Sequence, residues 1–90
     1  MLPKAENPLR QQLGCCMDEV RRVCGLDLGQ FADALGKDSR QVARQIKGDE
    51  RPQLDAVFAV AAFRAPLVIA LARLVAEVEM FTEMRIRRSA

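Results

Sequence analysis

From Leu9 onward the apolar residues Leu9, Leu13, Cys16, Val20 and Val23 recur every three or four positions. That spacing traces one side of an α-helix and predicts a first helix from Leu9 to about Cys24, halted by Gly25. Residues 1–8, with Pro3 and Pro8, read as an extended lead-in. Asp27 is placed to cap a second helix, "LGQFADALG", whose Phe31, Ala32 and Leu35 point inward and whose end is Gly36. Asp38 stands in the same relation to a third helix, Ser39 to Lys47, ended by Gly48. A fourth, "QLDAVFAVAAF", carries Leu54, Val57, Phe58 and Ala61 at helical spacing. Pro66 opens a fifth, in the first turn where proline is tolerated, with Leu67, Leu71, Leu74 and Val75 on its buried side.

The period then changes. In "VEMFTEMRIRR", Val78, Met80, Thr82, Met84 and Ile86 alternate with Glu79, Phe81, Glu83, Arg85 and Arg87. A repeat of two favours a strand over a continued helix, which would set Glu79 beside Glu83 as a like-charge pair. Two copies of this segment paired antiparallel about Thr82 would set Glu79 opposite Arg85 and Val78 opposite Ile86. A segment complementary to its own reverse suits a two-fold interface, so Val78, Met80, Thr82, Met84 and Ile86 are the expected dimerisation residues. The organisation expected is a lead-in over 1–8, a helical domain over 9–76 and a dimerisation segment over 77–90.

The third helix carries the candidate chemistry. Lys37, Arg40, Arg44, Lys47 and Arg51 follow one another three or four residues apart, so they fall along one side, while Val42 and Ile46 mark another. A cationic stripe alone is commonly just a solvated face. Here it follows a short helix and a tight glycine turn, and Phe31, Ala32 and Leu35 can pack on Val42 and Ile46. This is the layout of a helix-turn-helix.

Residues 26 to about 62 resemble a DNA-binding domain of the Cro and lambda-repressor helix-turn-helix class. The matching features are Leu26, the "FADALG" of Phe31–Gly36, Val42 five residues past the Gly36–Lys37 step, Gly48, and "RPQLDAVFAVA". Gly36, Asp38, Gln41, Val42 and Arg44 also follow a rhythm similar to that of phage lysogeny activators. Two positions depart from the class: Lys37 replaces an aliphatic residue, and Gln45 stands where an apolar one is common. The resemblance implies a mainly α, five-helix domain whose third helix enters the major groove. Ser39, Arg40, Gln41 and Arg44 are then the base-reading residues. Arginine can donate two bonds to guanine, and glutamine can pair with adenine. Lys37, Lys47 and Arg51, with Gln30 at the start of the second helix, are candidates for phosphate.

Composition adds limits. Ninety residues, half of them hydrophobic, make one small domain for which oligomerisation can help. Fourteen basic against twelve acidic side chains leave a net charge of only +2, so any case for nucleic acid is local. There is no His, which removes Ser-His and Cys-His nucleophilic pairs and His-containing zinc sites. No glycine-rich phosphate loop or carboxylate cluster is present, so an enzyme, a metal or a cofactor is not expected. Cys15, Cys16 and Cys24 lack CxxC spacing and read as small hydrophobes of a reducing cytoplasm. No signal core opens the chain, and "APLVIALARLVA" is too short to span a bilayer and holds Arg73.

The expected activity is therefore that of a cytoplasmic regulator of phage or prophage type. It would bind double-stranded DNA as a homodimer on a palindromic operator, as a repressor with no small-molecule effector. The alternatives are an activator of lysogeny type and a protein-interaction module that turns the basic face toward an acidic protein.

Overall fold

The structure, a computed structural model, describes the backbone of residues 8–89 and the side chains of residues 8–78. Five helices follow one another: α1 (Pro8–Val23), α2 (Leu28–Leu35), α3 (Ser39–Lys47), α4 (Leu54–Ala59) and α5 (Ala61–Ser89). No strand occurs among the described residues, and the fold is all-α. Apart from Pro8, which opens α1, the expected lead-in lies outside the described residues.

The first three helices end as their glycines foretell. Gly36 has φ 69°, and its N–H donates to the carbonyls of Ala32 and Asp33, while the Lys37 N–H reaches Ala32 O at 3.0 Å. Gly48, with φ 85°, closes α3 in the same way, and the Asp49 N–H donates to Arg44 O at 2.9 Å. The left-handed backbone costs a residue with a Cβ roughly 1–2 kcal/mol, so glycine is the natural stop. The start of α2 is equally well made. Asp27 Oδ1 accepts from the Gln30 N–H at 2.8 Å and Gln30 Oε1 accepts from the Asp27 N–H at 3.0 Å, a reciprocal cap. Asp38 precedes α3 as expected, but its side chain makes no capping bond.

Packing follows these short helices. α1 lies against both α3 and α5, α2 against α3, and α4 against α5. Met17 and Val20 of α1, Phe31 of α2, Val42 of α3 and Val57 of α4 are each fully buried in one cluster with Phe63 and Leu67 of α5. Leu35, Ile46, Leu54 and Leu74 pack at its edge. The packed side of α1 differs from the one expected: Leu9 and Val23 are more than half exposed, and Gly14 and Met17 are buried instead. A helix touching two neighbours has a broad buried side, and a single row of apolar residues underestimates it.

Gly14 is the closest point of that packing. A Cβ built there would meet Ile46 O and lie 2.5 Å from Gln45 O, both backbone atoms that cannot swing aside. Gly14→Ala should therefore lower stability by about 1–3 kcal/mol despite alanine's better helix propensity, measured as a shift in urea midpoint at unchanged m-value. A neutral or stabilising result would mean that α1 does not press on the end of α3.

Two sequence expectations fail in the last third of the chain. The break between the last two helices falls at Val60, not before Pro66, and α4 is shorter than expected. Arg64 explains the break: its Nε donates to Phe58 O at 2.7 Å and its guanidinium lies 5.3 Å over the Phe58 ring. That arginine serves the carbonyls at the end of α4, so α5 can begin at Ala61. Pro66 then sits inside α5, where it withholds one hydrogen bond from Ala62 O; the Cys24 thiol lies 4.0 Å from that oxygen.

The C-terminal strand is also overturned. α5 is a single helix of 29 residues through Ser89. Val78 lies on it, half exposed, and Met80, Thr82, Met84 and Ile86 occupy helical backbone, so the cross-strand pairing about Thr82 does not form. Met, Glu and Arg are strong helix formers, and a helix already nucleated at Ala61 extends cheaply. A period-two run of this length has no partner strand to reward it, whereas the Glu79–Glu83 repulsion costs only a few tenths of a kcal/mol.

Candidate nucleic-acid interface

α3 is two-sided. Val42 and Gln45 face the interior, at 0% and 1% exposure, while Arg40, Arg44 and Lys47 are exposed. Arg51, on the connection to α4, is exposed as well. Ser39, Gln41 and Lys37 are half-buried around the start of the helix. Arg40, Arg44 and Lys47 therefore share the outward side of α3, whereas Lys37 precedes the helix half-buried and Arg51 follows it on the connection.

Their engagements differ. Arg40, Lys37, Lys47 and Arg51 form no ion pair with a described residue. Arg44 does: its Nε donates to Glu50 Oε1 at 2.8 Å, with both side chains about half exposed. Gln30 is exposed, yet its carbonyl oxygen is committed to the cap of α2, which leaves only its amide N–H groups for an outside anion. Arg21 and Arg22 of α1 turn to Asp18 of their own helix, at 2.9 and 3.3 Å, and Arg21 also bonds Leu26 O. They belong to the scaffold.

Two residues on and just beyond α3 make contacts that the spacing does not foretell, Gln45 being marked in the sequence only as a polar residue where the resembling class commonly has an apolar one. Gln45 is almost wholly buried; its Oε1 accepts from the Gln53 N–H at 3.1 Å, pinning the loop that carries Arg51, and its Nε2 has no partner among the described residues. The sequence points to Ile46 as the inward residue, but Ile46 is only partly buried. A polar residue at a position three beyond Val42 hides the true period. Glu50 is the second. It lies six residues from Arg44, outside any helical spacing, and only the turn at Gly48 folds it back.

Elsewhere the surface offers less. A cleft of about 430 Å³ between α1 and α5 is lined by Cys15, Cys16, Glu19, Arg22, Arg73 and Glu77. Arg73 and Glu19 close on each other at 3.0 Å. Burial, with lesser contributions from Glu19, Cys15 and Glu77, raises the Cys16 thiol above its ordinary pKa, so it is a packed group and a poor nucleophile. Among the described residues no helix is long and apolar enough to cross a membrane.

No family model, curated protein or solved structure matches this chain.

Proposed function

We propose that this protein is a sequence-specific binder of double-stranded DNA, a lambda-repressor-like helix-turn-helix regulator that represses by occupying an operator. The observation that carries the reading is the division of α3: Val42 and Gln45 buried on one side, Arg40, Arg44 and Lys47 exposed on the other, and Arg51 exposed just beyond. A helix held rigidly from behind and cationic in front suits the major groove, with guanidinium groups for base edges and ammonium groups for phosphate.

The functional unit is a homodimer. With no C-terminal strand, the pairing element in this reading is α5. Its side away from the core carries Ala65, Val68, Ile69, Ala72, Val75 and Ala76, with Val68, Ile69 and Val75 more than half exposed. The helix also runs on to Ser89, and Leu74 is the last of the described side chains packed on the core. A second α5 laid beside the first would bury the exposed row of Val68, Ile69 and Val75. Val68→Glu with Ile69→Glu should convert dimer to monomer in sedimentation with helix content retained. A wild-type monomer at tens of micromolar would count against the pairing.

Selection from a pool of randomised duplexes tests the function. The expected motif is a palindrome whose half-site centres lie about 34 Å apart or a multiple of that. Affinity should fall with salt on a log-log slope of about −0.9 per phosphate neutralised. No enrichment at any salt would reject the reading in favour of a basic face for an acidic protein.

A further inference from the structure

We infer that Glu50 sets the specificity of the α3 surface by holding Arg44 in place, a role that rests on the duplex-binding reading above. The pair is unusual for its neighbourhood, because every other exposed cation of this surface lacks a carboxylate partner among the described residues. Its geometry is one-sided. Glu50 Oε1 takes the Arg44 Nε–H at 2.8 Å, and no described residue takes Nη1 or Nη2. The guanidinium is planar, so fixing Nε fixes the direction in which the two remaining nitrogens present their donors. A pair of parallel donors is what guanine O6 and N7 accept.

The backbone holds Glu50 where it can do this. The N–H groups of Asp49 and Glu50 both donate to Arg44 O, at 2.9 and 3.3 Å, so the loop folds onto the same residue whose side chain it grips. Stability is not the reason for the pair. An ion pair this exposed contributes about 0–1 kcal/mol to folding. Its charge has a second consequence at a duplex. A carboxylate beside the groove opposes phosphates wherever they lie, whereas the oriented donors reward one base pair. Glu50 thus lowers general attraction and preserves selective contact. Arg44 is the residue that touches the base; Glu50 is a positioning residue.

The test compares wild type, Glu50→Gln and Glu50→Ala for binding to the duplexes that wild type selects and to a fixed random duplex. Glu50→Gln keeps an acceptor and loses the charge. It should bind the random duplex more tightly, most clearly at low salt where the lost repulsion is least screened, while keeping the base preference. Glu50→Ala loses the acceptor as well. Its selected motif should lose discrimination at one base pair per half-site, by about tenfold. In an Arg44→Ala background Glu50→Ala should have no further effect on that base pair. A motif identical to wild type for Glu50→Ala, with unchanged random-duplex affinity for Glu50→Gln, overturns this role alone. Failure of wild type to enrich any duplex overturns the DNA reading and this role with it.

Discussion

Replacing Arg40 and Arg44 together with alanine should abolish retention on the selected duplex while leaving the fold intact. Both side chains are exposed on α3, and neither supports the core. Arg44 forms one exposed ion pair, whose loss costs at most about 1 kcal/mol of stability. Each arginine bound to a base edge is worth about 1–3 kcal/mol, so the pair should lower affinity by at least roughly 30-fold. Circular dichroism and the urea midpoint should stay close to wild type, as expected for surface substitutions. Lys47→Ala provides the contrast: a uniform loss across sequences and a salt slope shallower by about 0.9. Retention unchanged by the double substitution would remove α3 as the reading helix. If Lys47→Ala and the arginine variants weakened all duplexes alike, the surface would be an electrostatic one without sequence preference.

The contrast between those two kinds of variant also marks how much of the site was readable along the chain. Gly25, Gly36 and Gly48 each end a helix with positive φ, as their place after the last periodic residue implied. Asp27 caps α2 because acid and glutamine stand three apart, a signal local enough to survive any tertiary context. The cationic side of α3 was likewise legible, since exposure of Arg40, Arg44 and Lys47 follows from the burial of Val42. What failed depended on distant partners. Gln45 is buried because α1 and the loop at Gln53 close over it, and its polarity concealed that from a hydrophobic pattern. Arg64 and Phe58 moved the α4–α5 break through a contact six residues apart. The alternation after Val78 was too short to distinguish strand from helix, and helix propensity with continuity from α5 prevailed.

The largest effect on stability should come from Phe31→Ala. Phe31 is 0% exposed, and its ring lies 5.2 Å from that of Phe63, at 44° between planes. Phe63 belongs to α5, so this contact ties the two-helix unit of α2 and α3 to the element proposed for pairing. Truncation removes the ring, leaves a cavity between helices that other contacts hold apart, and strips the Phe63 ring of its neighbour. The expected cost is about 3–5 kcal/mol, a large share of the 5–15 kcal/mol typical of a native domain. The urea midpoint should fall accordingly, and α3 should lose both its backing and its orientation toward a duplex. DNA retention should recover at low temperature or high protein concentration if pairing stabilises the folded state by mass action. Phe31→Leu separates volume from aromaticity: it should retain more than half of the lost stability, because most of the term is burial rather than ring geometry. A Phe31→Ala midpoint within 1 kcal/mol of wild type, on the order of an exposed-site change, would mean that the α2–α5 junction is not the keystone of this core.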